Sequence, residues 1–163
     1  QGMSFLAAML LLQMENPYDT FVAMASIMGR DDGALLQFYQ MDLDRHEVRY
    51  AEFDNEFKAK MPDVYEHLND KLGITSKSYL LPWWMTVFSK YLSLELSTRV
   101  WDMYMLVGDP YLVNVSLGIL HACRQDILRG EFSTCMNILQ RRFPENIDAD
   151  GLFASITAMG VLR

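Results

Sequence analysis

The sequence predicts an all-α domain, and three features carry that prediction. Apolar residues recur at helical spacing along most of the chain. Pro, Gly, Asn and Asp fall where helices would start and stop. Sustained period-two alternation, the mark of a half-buried strand, is missing. Asp32-Gly33 and Asp150-Gly151 have the composition of hairpin turns, but both lead into helical patterns instead of β-branched runs.

The elements follow in order. Met3 to Met14 is apolar on nearly every face, which predicts a helix with neighbours on all sides. The turn Asn16-Pro17-Tyr18-Asp19 ends it, with Asp19 placed to cap a second helix from Thr20 to Met28 that Gly29 closes. A helix of mixed polarity is expected from about His46 to Met61, and Pro62 can start the next, which stops before Gly73. Pro82 introduces an aromatic helix, Trp83 to Tyr91. Ser93 can cap Leu94 to Val107, and Gly108 closes that helix. Asp109-Pro110 is a cap followed by a proline in the first helical position, the entry to a long helix ending near Leu128 and Arg129. After Gly130, two shorter helices are expected, Ser133 to Arg142 and Ala149 to Met159, separated by Pro144 and an acidic turn. No fixed-period repeat and no low-complexity linker divides the chain.

Composition narrows the function classes. With 163 residues, of which 51% are hydrophobic and 21% charged, the chain can build one core and is too apolar for disorder. A net charge of -7 leaves no general basic field for nucleic acid or anionic lipid. Cys123 and Cys135 lie in apolar helical contexts without a C-x-x-C pair, which points to reduced core thiols and a cytoplasmic setting. The 12 Met residues sit mainly within apolar stripes and read as core filler. Met3 to Leu12 with Ala23-Met24-Ala25 imitates a signal peptide, but no Lys or Arg precedes Arg30 and ten apolar residues cannot span a bilayer. No direct membrane insertion is expected. Because the chain opens on Gln1-Gly2 and enters a hydrophobic helix at once, it reads as part of a longer polypeptide.

Several chemistries are disfavoured. The 9 glycines form neither a P-loop nor a dinucleotide fingerprint, so if GTP matters, a partner brings it. His46, His67 and His121 form no metal-binding cluster, and no serine sits in a G-x-S-x-G elbow. Asn146-x-Asp148-x-Asp150-Gly151 imitates half a calcium loop, but its twelfth position is Thr157 instead of a bidentate Glu. Its carboxylates better suit the start of the last helix.

What remains distinctive is Trp83-Trp84-Met85-Thr86-Val87-Phe88-Ser89, a leucine-bearing turn, then Arg99-Val100-Trp101-Asp102 and Gly108. This resembles the TBC pattern W-[FW]-x-T-x-[FY]-S, R-x-W-D and a closing glycine. The opening Gln1-Gly2-Met3-Ser4-Phe5 resembles the end of the same family's finger motif, Y-x-Q-G-M-[NS]-F. Phe38-Tyr39, Pro62 to Gly73 with His67-Leu68, and Leu152 to Ile156 agree in order and spacing, so the resemblance spans essentially the whole chain, 1–163, as the C-terminal two-thirds of a TBC domain.

The resemblance implies an all-helical activator of Rab GTPases acting in membrane traffic, cytoplasmic or held on endomembranes through its partner. That partner is a Rab in its GTP form, with GTP and Mg²⁺ belonging to the GTPase and no cofactor in this chain. By motif position Gln1 is the catalytic glutamine finger. An amide there can accept from the attacking water and donate to a phosphate oxygen. Gly2 and Ser4 beside it are candidate GTPase contacts, and one of Trp83 and Trp84 is expected to line the GTPase groove. Arg99, Trp101 and Asp102 are assigned to the scaffold. Glu95, Arg99 and Asp102 can share a helix face, and if such a network is fully buried, Arg99→Ala costs about 3 to 5 kcal/mol. The chain departs from the family in one respect: neither the tyrosine two residues before Gln1 nor the I-x-x-D-x-x-R arginine finger lies within it. The competing reading is therefore a non-catalytic Rab-binding or helical scaffold module.

Overall fold

A computed structural model describes residues 2–30, 33–140, 143 and 148–160. The described residues are all-α. Leu6, Met9 and Leu10 bury one side of α1 (Met3–Leu11), while Met3, Phe5, Leu11 and Leu12 are exposed, so this helix is covered on one face and not all round. α2 (Pro17–Met28) packs back on α1. Its cap is Asn16, whose Oδ1 accepts from the Asp19 N–H at 2.9 Å. Asp19 itself lies in the first turn, because Pro17 already satisfies the first helical position.

α3 (Ala34–Gln40) precedes α4 (Leu43–Lys60), which starts at Leu43 instead of near His46 because Asp42 caps it, its side chain accepting from the Arg45 N–H at 3.2 Å. α5 (Pro62–Tyr65) continues as a π-helical turn, Glu66–Lys71, before the left-handed Gly73. α6 is Leu80–Met85 and contains Pro82 in its first turn. It does not run on to Tyr91: Val87 (φ 43) and Phe88 (φ 61) are left-handed, and the chain reverses there. α7 (Leu94–Val107) is capped by Ser93 and closed by Gly108 at φ 83. The long helix expected after Pro110 divides at Cys123 into α8 (Pro110–Ala122) and α9 (Arg124–Arg129). α10 (Phe132–Gln140) and α11 (Ala149–Met159) complete the chain, the latter capped by Asp148 accepting from the Gly151 N–H at 2.9 Å. Asn146 of the calcium-like turn lies outside the described residues. Among the described residues no acidic or His/Cys cluster is arranged for a metal, and no helix is long and apolar enough to cross a membrane.

α8 is the central helix. Leu112, Val115, Leu117, Ile119 and Leu120 are all buried, and α11 lies against it so closely that a Cβ at Gly118 would meet the Ile156 backbone at 2.8 and 2.9 Å. A glycine in mid-helix is intrinsically unfavourable, and here it permits that approach. Asp109 does not cap α8. Its carboxylate instead accepts from the Ala34 N–H at the start of α3 and from the Tyr104 hydroxyl, joining α3, α7 and α8. The three histidines serve as tethers: His46 to the Gln37 carbonyl, His67 to the Gly130 carbonyl and His121 to the Ser155 hydroxyl.

The Arg99 network differs from the expected one. Glu95 and Asp102 are exposed on α7, and Arg99 pairs with neither among the described residues. Its guanidinium crosses to α11, with Nη1 3.3 Å from Asp150 Oδ1 and the cationic plane 4.0 Å from the Phe153 ring centroid. A contact to another helix holds a long side chain against an aromatic face, which a pair within one helix surface cannot do. The Arg99 side chain is 42% exposed and that of Asp150 92%, so no buried charge is stranded when the pair is broken. Trp101 is buried, and its indole N–H has no hydrogen-bond partner among the described residues.

Two outcomes follow for stability. Gly118→Ala should destabilise by about 1–3 kcal/mol because backbone must move to admit the methyl, despite the better helix propensity of Ala. Arg99→Ala should cost only about 1 kcal/mol, the sum of a weak surface pair and an exposed cation–π contact. Urea denaturation of the two variants beside the parent measures both, and the order of the two midpoints is the discriminating result.

Candidate functional site

The two neighbouring tryptophans of α6 have interior partners. Trp83 is fully buried, surrounded by Tyr79, Phe88, Tyr91 and Phe143 at centroid separations of 5.0 to 6.3 Å, and its Nε1–H donates to the Leu139 carbonyl at 2.9 Å. Trp84 stacks on Phe38 at 5.6 Å and on Tyr50 at 6.1 Å, and its Nε1–H donates to Ser116 Oγ at 3.0 Å. Trp83 and Trp84 are 0% and 2% exposed. The aromatic payload and polar handle that suggested an interface are both consumed inside the protein.

α6 nevertheless forms the floor of a groove. A cavity of about 360 Å³ opens between the start of α1 and the end of α6, lined by Gly2, Ser4, Phe5, Leu81, Pro82, Met85, Thr86 and Lys90. Gln1 lies outside the described residues, but it is bonded directly to Gly2, and Gly2 is in the groove wall. Two of the expected contacts, Gly2 and Ser4, are thus brought together with residues of the tryptophan motif although they are some eighty positions apart in sequence.

Local chemistry shapes this groove. Gly2 is the cap residue of α1 at φ 114, a conformation that side-chain-bearing residues rarely adopt, and its carbonyl accepts from the Phe5 N–H at 3.0 Å. No acidic side chain occupies the first turn of α1, so the positive end of its dipole is not neutralised by the helix itself. Thr86 is buried and donates its hydroxyl to the Pro82 carbonyl at 3.0 Å, which turns its methyl toward Gly2. Lys90 is exposed at the groove edge with its ammonium 5.4 Å from the Tyr91 ring centroid. Behind the groove, Tyr39 donates its hydroxyl to the Met85 carbonyl at 2.6 Å. Desolvation pushes that phenol up to about 12, so it remains a donor at any physiological pH.

Sequence reasoning did not assign Phe5, Leu81, Pro82, Met85, Thr86 or Lys90 to the site. The available signal was that three of them, Phe5, Met85 and Thr86, fall inside the two quoted motifs, and the other three flank the second. Arg99 and Asp102 line a different recess with Phe153 and Ile156 and are not among the residues of this groove.

Comparison with known proteins agrees with the motif pattern. The Rab-GTPase-TBC domain matches residues 1–128. TBC1 domain family member 12 of Xenopus tropicalis is 33% identical over 159 residues, 98% of this chain and 22% of that protein. TBC1 domain family member 14 of Rattus norvegicus is 31% identical over the same shares. Drainin of Dictyostelium discoideum is 30% identical over 97% of this chain and 35% of its own length. The chain therefore spans between 22% and 35% of the length of these relatives. On a family match covering most of its length, relatives aligned over 97–98% of this chain and an all-helical fold, the chain belongs to the Rab-GTPase-TBC domain family.

Proposed function

We propose that this chain forms the glutamine-bearing part of a GTPase-activating protein for Rab GTPases, with Gln1 as the finger at the groove between α1 and α6. The observation that carries this is the position of Gly2: the residue bonded to Gln1 lies in the wall of an open, partly apolar groove beside the N-terminus of α1, whose first turn has no acidic side chain, and an exposed lysine. A glutamine amide there meets the requirements of the reaction. GTP hydrolysis needs a water in line with the γ-phosphate, and an amide can hold that water through its carbonyl while its NH₂ donates to a phosphate oxygen. The dipole of α1 and the Lys90 charge favour an anionic ligand or acidic surface nearby. GTP and Mg²⁺ arrive with the GTPase in its GTP form, and the protein acts on endomembranes through that partner.

The arginine finger is proposed to come from outside these residues. No arginine of the chain stands in an I-x-x-D-x-x-R context, and the one anchored on α7, Arg99, is engaged with α11. That same fact favours a second reading, a Rab-binding module without catalysis, in which the groove holds a GTPase and accelerates nothing.

Two assays separate them. In the complete protein, Gln1→Ala should lower phosphate release from GTP-loaded Rab by about tenfold to a thousandfold at an unchanged melting temperature, since a polar side chain in a solvated groove carries little packing. Turnover equal to that of the parent would overturn the finger assignment. Residues 1–163 alone, mixed with Rab-GTP, should show almost no acceleration, because an arginine finger contributes about a thousandfold to a hundred-thousandfold. Strong activity from this fragment would place the arginine within it.

A further inference from the structure

Three elements converge on the Tyr39 hydroxyl. It donates to the carbonyl of Met85, the last residue of α6. That carbonyl has no helical partner, because the chain turns left-handed at Val87 and Phe88 and the Ser89 N–H goes to Thr86 instead. On its other side the same hydroxyl meets the start of α1, where a Cβ at Gly2 would lie 2.9 Å from the Tyr39 oxygen and 3.6 Å from the Thr86 methyl. The ring is carried by α3, whose preceding residue, Phe38, stacks on Trp84. One oxygen thus spaces the α1 start from the groove floor, held by a helix that is itself anchored in the core.

We propose that Tyr39 is a positioning residue for Gln1: its hydroxyl, bonded to the Met85 carbonyl and packed against Gly2, fixes the point from which the glutamine departs relative to the groove. The proposal rests on the assignment of Gln1 as the finger. Its physical basis is that a group orienting water is sensitive to placement, a displacement of about 1 Å costing on the order of a hundredfold in rate. Tyr39 lies outside the lining of the groove, so it acts through Gly2 and Met85 and not by contact with the GTPase. Removing its oxygen leaves the Met85 carbonyl unpaired and the Gly2 backbone without its spacer, while the ring stays packed.

The test is a double-mutant cycle in the complete protein with a GTP-loaded Rab, measuring turnover at saturating Rab, the half-saturating Rab concentration and melting temperature. Tyr39→Phe should lower turnover by about tenfold to a hundredfold with little change in half-saturation. In the Gln1→Ala background the same substitution should change nothing further, because the group it positions is gone. Gly2→Ala, which intrudes on the hydroxyl from the other side, should show the same Gln1-dependent loss. Parent-like turnover of Tyr39→Phe overturns the proposal. So does an equal loss with and without Gln1, or a change confined to half-saturation, since these assign Tyr39 to the fold or to Rab binding. If Gln1→Ala alone turns over like the parent, the finger assignment itself fails and takes the proposal with it. A slow Tyr39→Phe beside a slow, non-additive Gln1→Ala supports both.

Discussion

The fold and its groove both depend on the paired indoles of α6. Adjacent positions on a helix point about 100° apart, so Trp83 and Trp84 leave the same short element toward different parts of the interior. Trp83 is held by α10 through the Leu139 carbonyl and by Phe143. Trp84 is held by α8 through Ser116 and by the aromatic rings of α3 and α4. A six-residue helix has too few internal hydrogen bonds to be stable alone, and it persists because each indole brings a large buried area and a satisfied N–H. The end of α6 at Met85 is placed by these anchors, and the groove takes its floor from that end.

The same anchoring explains why neither tryptophan lines the groove between α1 and α6. A side chain cannot both fill a core and offer its face to a partner. The groove-facing part of the segment is made of what flanks the indoles: the half-buried Pro82 and Met85 and the exposed Lys90, with the buried Thr86 contributing its edge. Division of labour along one segment, with large rings inward and modest residues outward, makes the groove rigid without spending its aromatic residues at the surface.

Much of the fold was legible in the sequence because its boundaries are chemical. Ser93, Asp148, Gly29 and Gly108 perform the capping that their residue types predict, and α11 occupies the residues expected of it. The failures arise where tertiary contacts override local signals. Asp109 has the position of a cap, yet its carboxylate serves the start of α3. Arg99 has carboxylates three and four residues away, yet an aromatic face on α11 wins it. The expected helix through Tyr91 stops at Met85, since burial of Val87 and Phe88 in a reversed chain outweighs continued helical bonding. For the site, motif position alone located Gly2 and Ser4. The partnership of Gly2 with Tyr39, thirty-seven positions away, has no local signature and needed three dimensions.

The left-handed pair after α6 bears on how the groove comes apart. Val87 and Phe88 occupy a conformation that is costly for a β-branched or bulky residue, on the order of 1–3 kcal/mol each. Both side chains are fully buried, so this cost is offset by the packing of the whole interior and not by anything in the segment itself. The floor of the groove is thus in the same cooperative unit as the core. Loosening the floor therefore means disturbing the core packing that holds Val87 and Phe88 in place.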